Sequence, residues 1–311
     1  MIESGEATVI QHTGSHYLLS KLPEWDPFTA MLRGRIRLEG STATNPVAVG
    51  DKVLYERVSP DEPAMIIEIL PRKNYMIRKA TNLSREAHII AANLDRAFIV
   101  TTIAYPEIKL PFIDRFLVTC EVYHIPVTIV LNKIDLYGES HVQQVEVFHN
   151  IYEKIGYPVI ETSAQTGEGI EKLREACKGH LSLFSGISGV GKSSLINALD
   201  PTLEARVGEL SEAHLQGRHT TTFYEMYNLE SGGFIVDTPG LRSFGLVDLE
   251  KEEIALYFPE MHRALVGCAF TSCTHTHEPG CAVKEAVEKG DISEERYISY
   301  LGMLQEEGKY R

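Results

Sequence analysis

The chain has 311 residues, 43% of them hydrophobic and 23% charged, an ordinary globular composition on a length that exceeds what one hydrophobic core usually serves. Two or three folded domains are therefore expected. The formal net charge of −13 weighs against polyanionic partners in general. No apolar run approaches a membrane span, and residues 1–30 show no basic start followed by an apolar block, so a cytoplasmic protein with no membrane partner is expected.

Residues 1–70 read as short β-like stretches, "ATVIQHTGSHYLLS", "MLRGRIRL", "DKVLYERV" and "AMIIEIL", divided by Gly, Pro and Asn. Several such runs at short spacing predict a small all-β barrel, of which the OB-fold is one form. Arg33, Arg35 and Arg37 alternate, which places them on one face of a strand. Residues 72–79, "RKNYMIRK", add four basic side chains and no acidic one around a tyrosine. Such charge runs form a solvated face more often than a binding surface.

From residue 94 the pattern changes. "RAFIVTT" (96–102), "PVTIVLN" (126–132), "PVIETSA" (158–164), "HLSLFSG" (180–186) and "GFIVDTPG" (233–240) have the continuous apolar character of buried parallel strands. Helix-like segments near 112–124, 140–155, 169–178 and 192–199 alternate with them. This predicts an α/β sheet covered by helices on both faces. Residues 245–311 revert to charged, helical segments around three of the five cysteines. The odd cysteine count argues against a complete disulfide framework, and Cys120 and Cys177 read as core residues.

Gly186, Ile187, Ser188, Gly189, Val190, Gly191, Lys192 and Ser193 fit the phosphate-loop pattern G-x-x-x-x-G-K-[ST] between a strand and a helix that continues through Ser194. Glycines let successive backbone N–H groups curl inward, the helix start adds positive dipole, and Lys192 supplies a mobile charge for the β- and γ-phosphates. The Ser193 hydroxyl is the expected Mg²⁺ ligand. This loop grips phosphates without choosing a base.

Asn132, Lys133 and Asp135 of "NKID" follow an apolar strand, where ligands collect at the carboxyl ends of a parallel sheet. A carboxylate accepts from two adjacent N–H donors, which guanine presents and adenine does not, so Asp135 is the expected guanine reader. The Lys133 stem is expected to pack on the base, with Asn132 bracing the loops. Ser163 and Ala164 of "ETSAQTG" end another strand. There the N–H of Ala164 or a neighbour is placed to donate to the guanine carbonyl. Asp237 and Gly240 of "DTPG" suit a water-mediated Mg²⁺ contact and a γ-phosphate sensor. Residues 218–222, "RHTTT", offer a hydroxyl to Mg²⁺, for which Thr221 is chosen with its neighbours as alternatives. The phosphate loop taken alone also fits an ATPase, a small-molecule kinase or a nucleotide-gated scaffold.

Cys268, Cys273 and Cys281 with one histidine make a closed tetrahedral set for a structural Zn²⁺. His275 gives C-x₄-C-x-H-x₅-C, His277 competes for the fourth position, and His262 is a more distant alternative.

The series "NKID", "TSA", "GISGVGKSS", "RHTTT", "DTPG" resembles the circularly permuted GTPases of the RsgA/YjeQ family, and the likeness covers nearly the whole chain. The resemblance implies an OB-fold RNA-binding domain over 1–72, a circularly permuted GTPase domain over 73–245 and a zinc-binding helical domain over 246–311. It implies Mg²⁺-dependent hydrolysis of GTP to GDP and phosphate. It favours His275 as the fourth ligand of one structural Zn²⁺. It places a catalytic histidine at His219, beside Thr221 and Lys192 in the catalytic set. Where a Ras-like chain carries its water-orienting Gln this one has Leu241, and with no arginine finger evident in cis, intrinsic turnover is expected to be slow. The implied partner is the small ribosomal subunit with its rRNA, late in maturation, with turnover stimulated by the subunit and the GTP state coupled to release. A monomer is expected.

The permuted order has a physical consequence. A sheet is held by neighbours in space, so moving the chain ends to another surface loop leaves the ligand site intact. The segment after "DTPG" then runs straight into the carboxy-terminal module, and a change at the γ-phosphate is expected to act on that module with little slack.

Overall fold

The computed structural model describes residues 2–12, 16–33, 46–79, 87–203, 224–237 and 249–307. β1 (Glu3–His12), β2 (His16–Ser20), β3 (Phe28–Leu32), β4 (Lys52–Arg57) and β5 (Ala64–Ile69) close a barrel in the order β1-β2-β3-β5-β4. One parallel pair, β3 with β5, lies among otherwise antiparallel neighbours, as in the five-stranded Greek-key barrel of an OB-fold. Alternation explains the closure: Val53 and Tyr55 of β4 point inward with Ala7, Val9, Leu19, Ala30 and Ile66. β1 is buried on both sides, since Val9 fills the barrel while Ile10 joins the core of the central sheet. The third strand begins earlier than "MLRGRIRL" suggests, and Arg35 and Arg37 lie outside the described residues.

A hairpin that the sequence reading did not anticipate follows the barrel. β6 (Tyr75–Lys79) pairs antiparallel with β7 (Ala87–Ala92), and Met76, Ile90 and Ala91 bury against the central sheet. The Ala92 N–H donates to the Val49 carbonyl at 2.8 Å, which holds barrel and hairpin together.

The central sheet contains β8 (Arg96–Thr101), β9 (Val127–Asn132), β10 (Val159–Thr162), β11 (Leu181–Ser185), β12 (Met226–Asn228) and β13 (Phe234–Asp237), in the order β10-β9-β8-β11-β13-β12. All neighbours are parallel except β12, an antiparallel edge strand. Starting at β8 the chain builds outward to β10, then crosses back to β11 and builds the other way. The strand order thus reverses between β8 and β11, and the crevice at their carboxyl ends is where such sheets bind ligands. Helices α1 (Leu110–Val122), α2 (Val142–Glu153), α3 (Ile170–Cys177) and α4 (Lys192–Leu199) alternate with the strands. The edge β12 meets the barrel through a bridge between Gln11 and Glu225. Trp25, the sole tryptophan, stacks on Phe234 with centroids 5.8 Å apart.

The carboxy-terminal module contains α5 (Pro259–Ala264), α6 (Ala282–Glu288) and α7 (Glu294–Glu307). Its small core of Ile254, Phe258, Met261, Val283, Tyr300 and Met303 includes Val118 of α1. Helical spacing puts Asp114, Val118 and Val122 on one face of α1. That face turns to the module, while Ile113, Phe116, Leu117 and Cys120 turn to the sheet. Among the described residues no helix is long and apolar enough to cross a membrane.

Candidate nucleotide and metal sites

The phosphate loop leaves β11 at Ser185 and enters α4 at Lys192. A Cβ at Gly186 would stand 2.6 Å from the Val100 carbonyl oxygen, and Gly191, at φ +88°, would place one 2.5 Å from Asn132 Nδ2. Any side chain at these two positions would push the loop off its neighbours. Ile187, Ser188 and Gly189 form the outward part of the loop, Val190 is fully buried, and Ser193 and Ser194 are exposed at the helix start. No side chain caps α4, so its first N–H groups face the crevice as an anion site. Lys192 Nζ donates to Asp237 Oδ1 at the end of β13. A cation suited to phosphate and a carboxylate suited to a metal are thus side by side.

Asn132 ends β9 as a fully buried brace. Its Nδ2 donates to the Val190 carbonyl at 2.8 Å, and its Oδ1 accepts from Thr162 Oγ1 at 3.0 Å. One side chain therefore joins the "NKID" turn, the phosphate loop and β10. Lys133 adopts the left-handed conformation at φ 64°, and its Nζ donates to the Tyr105 carbonyl at 2.6 Å. The aliphatic stem lies over Gly191, with Cε 3.7 Å from the point where a Cβ would be. Asp135 is exposed, and Ser163 Oγ donates to its Oδ1 at 2.6 Å. Ser163 is itself buried and accepts from the Thr166 N–H at 3.0 Å, with Ala164 half-buried beside it. The carboxylate is thus aimed by a side chain from a different strand end, with its outer edge open to a ligand. His219, Thr221 and Gly240, with the rest of "RHTTT" and residues 238–248, lie outside the described residues.

Two contributors escaped the sequence reading. The Tyr137 hydroxyl donates to the Asn132 carbonyl at 2.8 Å and accepts from the Ile103 N–H at 2.9 Å. Burial raises the Tyr137 phenol above its ordinary value, so it stays protonated as a donor. Pro106 lies against the phosphate loop, 3.6 Å from the point where a Cβ on Gly189 would stand. No motif marks either residue, because both act on backbone that only the fold brings near.

The ligating atoms of Cys268, Cys273, His275 and Cys281 lie within 4.8 Å of one another. His275 Nδ1 is 3.3 Å from Cys281 Sγ and 3.7 Å from Cys268 Sγ. A tetrahedral Zn²⁺ with ordinary bond lengths separates nitrogen from sulfur by about 3.6 Å, so donor types and spacing both fit. His275 is fully buried at φ 56°, and burial lowers its imidazole pKa, which keeps it neutral for ligation. Tyr297 and Tyr300 hold the loop by donating to the carbonyls of His275 (2.6 Å) and Thr274 (2.8 Å). Burial pushes the Cys273 thiol up to about 12; a coordinated cation reverses that by deprotonating its thiols. His277 is exposed beside Thr276, and His262 is exposed on α5. We expect one Zn²⁺ per chain, lost in Cys281→Ser and kept in His277→Ala, as read by metal stoichiometry on the purified chain.

Two of the four basic residues of segment 72–79 make ion pairs. Arg72 clamps the fully buried Asp51 carboxylate with two contacts of 2.6 Å and donates to the Pro46 carbonyl at 2.7 Å. Lys73 pairs with Asp95 at 2.5 Å. Arg72 thus neutralises a buried carboxylate beside the barrel, which needs a paired charge, whereas Lys73 makes a half-exposed pair at the start of the sheet. Arg33 is exposed and pairs with Glu56 at 3.3 Å.

A family description, RsgA GTPase, matches residues 69–247. The chain belongs to the RsgA GTPase family. As a member it is a GTPase. A Bacteroides fragilis protein named small ribosomal subunit biogenesis GTPase RsgA is 50% identical over 97% of this chain and 98% of its own length. A Porphyromonas gingivalis protein of the same name is 48% identical over 98% of each chain. The crystal structure of YjeQ from Thermotoga maritima superposes with a TM-score of 0.80 at 35% identity over 98% of both chains. That of YloQ, described as a circularly permuted GTPase, gives 0.75 at 28% identity over 99% of this chain and 96% of its own. The fold is accordingly a permuted GTPase domain between an amino-terminal barrel and a zinc-type helical module.

Proposed function

We propose that this GTPase acts in late maturation of the small ribosomal subunit, binding the subunit and its rRNA, with hydrolysis stimulated there and coupled to release. The relatives' shared name, at about half identity over nearly the whole chain, carries the choice of partner. Guanine specificity rests on the Asp135–Ser163 pair held beside the phosphate loop by Asn132.

In this reading Asp135 accepts the two guanine N–H groups and an N–H at Ala164 donates to the guanine carbonyl. The Lys133 stem covers one face of the base. Backbone N–H groups from Gly186 to Gly191 and the start of α4 hold the phosphates. Lys192 exchanges its bond with Asp237 for the β- and γ-oxygens. Ser193, Thr221 and, through water, Asp237 would hold Mg²⁺, whose donor chemistry of hydroxyls and a carboxylate fits that ion. When bound, Mg²⁺ neutralises charge developing on the phosphates. His219 accepts a proton or hydrogen bond from the attacking water, the task that Leu241 cannot perform, and Gly240 senses the γ-phosphate. The protein works as a cytoplasmic monomer.

Arg72 is consumed by the buried Asp51 carboxylate, so the rRNA surface is assigned to the barrel face carrying Arg33, with the half-exposed Lys73 able to contribute. Multiple-turnover GTP hydrolysis should rise on adding small subunits, and a rate that stays at background would refute the proposal. His219→Ala should lower kcat by about 10²–10⁴-fold, the usual worth of general acid–base help. GTP affinity, measured by equilibrium binding, should be unchanged.

A further inference from the structure

The turn that carries Asp135 is closed by a side chain. β9 ends at Asn132, a 3₁₀ turn spans Ile134–Leu136, and Tyr137 follows. The Tyr137 hydroxyl reaches back to the Asn132 carbonyl at 2.8 Å, so residues 132–137 form a ring that contains Asp135. The backbone contributes its own closures, with the Leu136 N–H on the Lys133 carbonyl at 2.9 Å and the Tyr137 N–H on Ile134 at 3.1 Å. The hydroxyl also takes the Ile103 N–H at 2.9 Å, which anchors the ring to the end of β8. From Ile103 the chain continues through Tyr105, whose carbonyl accepts from Lys133 Nζ at 2.6 Å, to Pro106 against Gly189. The phenol oxygen thus ties the base-reading turn to the loop after β8, and that loop in turn lies against the phosphate loop.

We propose that Tyr137 is a positioning residue for base selection, holding Asp135 where its carboxylate meets both guanine donors at once. The inference rests on the guanine-reading role of Asp135. Bidentate acceptance needs both oxygens placed within a few tenths of an ångström, whereas Ser163 restrains only Oδ1. The second oxygen inherits its position from the turn, and the turn from the Tyr137 closure.

Tyr137→Phe keeps the ring packed against the core and deletes one oxygen. GDP and IDP affinities should be measured by titration on the full chain, since hypoxanthine lacks the exocyclic amine and engages one carboxylate oxygen only. We expect GDP affinity to fall about tenfold, near the net worth of a hydrogen bond, and IDP affinity to fall by less than threefold. The GDP-over-IDP ratio therefore shrinks. Equal losses for both nucleotides would overturn the inference by reducing Tyr137 to a general stabiliser, as would no loss for either. Should Tyr137→Phe fold poorly, amide exchange on the wild-type chain decides: GDP must slow exchange at Ile103 and Tyr137 more than IDP does, and equal protection refutes the idea. A wild-type chain that binds ADP as tightly as GDP would instead sink the guanine reading itself, an outcome these comparisons keep separate.

Discussion

Asp135→Asn is expected to exchange guanine for xanthine. Ser163 Oγ donates to Asp135 Oδ1, so in the variant the amide oxygen takes that place and the amide NH₂ faces the far side of the base. Guanine then presents its amine to a donor, while xanthine presents a carbonyl oxygen there and keeps its ring N–H for the amide oxygen. The amine loses its hydrogen bond to a charged group, worth about 1.5–3 kcal/mol, and the ring N–H keeps only a neutral acceptor, which corresponds to a fall of at least roughly 10–10²-fold in GDP affinity. Titration with GDP, XDP and ADP checks this. The variant should prefer XDP, and ADP should remain weak throughout. An unchanged GDP affinity would remove Asp135 from the site.

The second large effect concerns how the carboxy-terminal module is fastened. Arg296 of α7 is fully buried, donating to Asp114 of α1 at 2.7 Å and to Glu260 of α5 at 2.7 and 3.2 Å. Its guanidinium also lies 4.5 Å from the Phe258 ring centroid, and Tyr152 of α2 donates to the same Asp114 oxygen at 2.9 Å. Arg296→Met would leave two buried carboxylates uncompensated, and such a break costs about 3–5 kcal/mol. Denaturant unfolding should show that loss. Replacing Asp114 by Asn and Glu260 by Gln in the same chain should restore much of it, because the cost lies in the unpaired charges.

The same site supplies a pH dependence. Burial raises the Asp114 carboxyl above its ordinary value, with Arg296 opposing the shift. Removing Arg296 raises it further. A carboxyl whose folded pKa exceeds its unfolded one favours the fold at low pH and loses that contribution as pH rises through the folded value. The deficit of Arg296→Met relative to wild type should therefore be smaller at pH 5 than at pH 8.

This anchorage also bears on how nucleotide state reaches the module. The sequence suggests a direct pull from the segment after "DTPG". That segment lies outside the described residues; within them the module and the sheet also share a helix, with Val118 in one core and Phe116 in the other. The barrel side of the sheet offers a further contact. There Glu225 and Phe234 touch Gln11 and Trp25.

Much of the site was legible in the chain because its chemistry is local. A phosphate loop needs glycines and a lysine within eight residues between a strand and a helix, and β11 and α4 fall where the pattern put them. The "NKID" and "TSA" turns likewise sit at strand ends, since continuous apolar runs predict buried parallel strands. Three cysteines within fourteen residues announce a metal, although spacing alone left His262, His275 and His277 in competition until burial singled out His275.

What the tertiary structure alone decided are pairings between residues far apart in the chain. Arg72 reads as a surface charge until the fold sets Asp51 against it. Asp114 and Arg296 are separated by 182 positions and meet only because α7 packs on α1. Tyr137 carries no motif, since its partners are backbone atoms of Asn132 and Ile103. Local pattern encodes which side chains are capable of a chemistry, whereas the burial and partners that assign each one a task are properties of the packed chain.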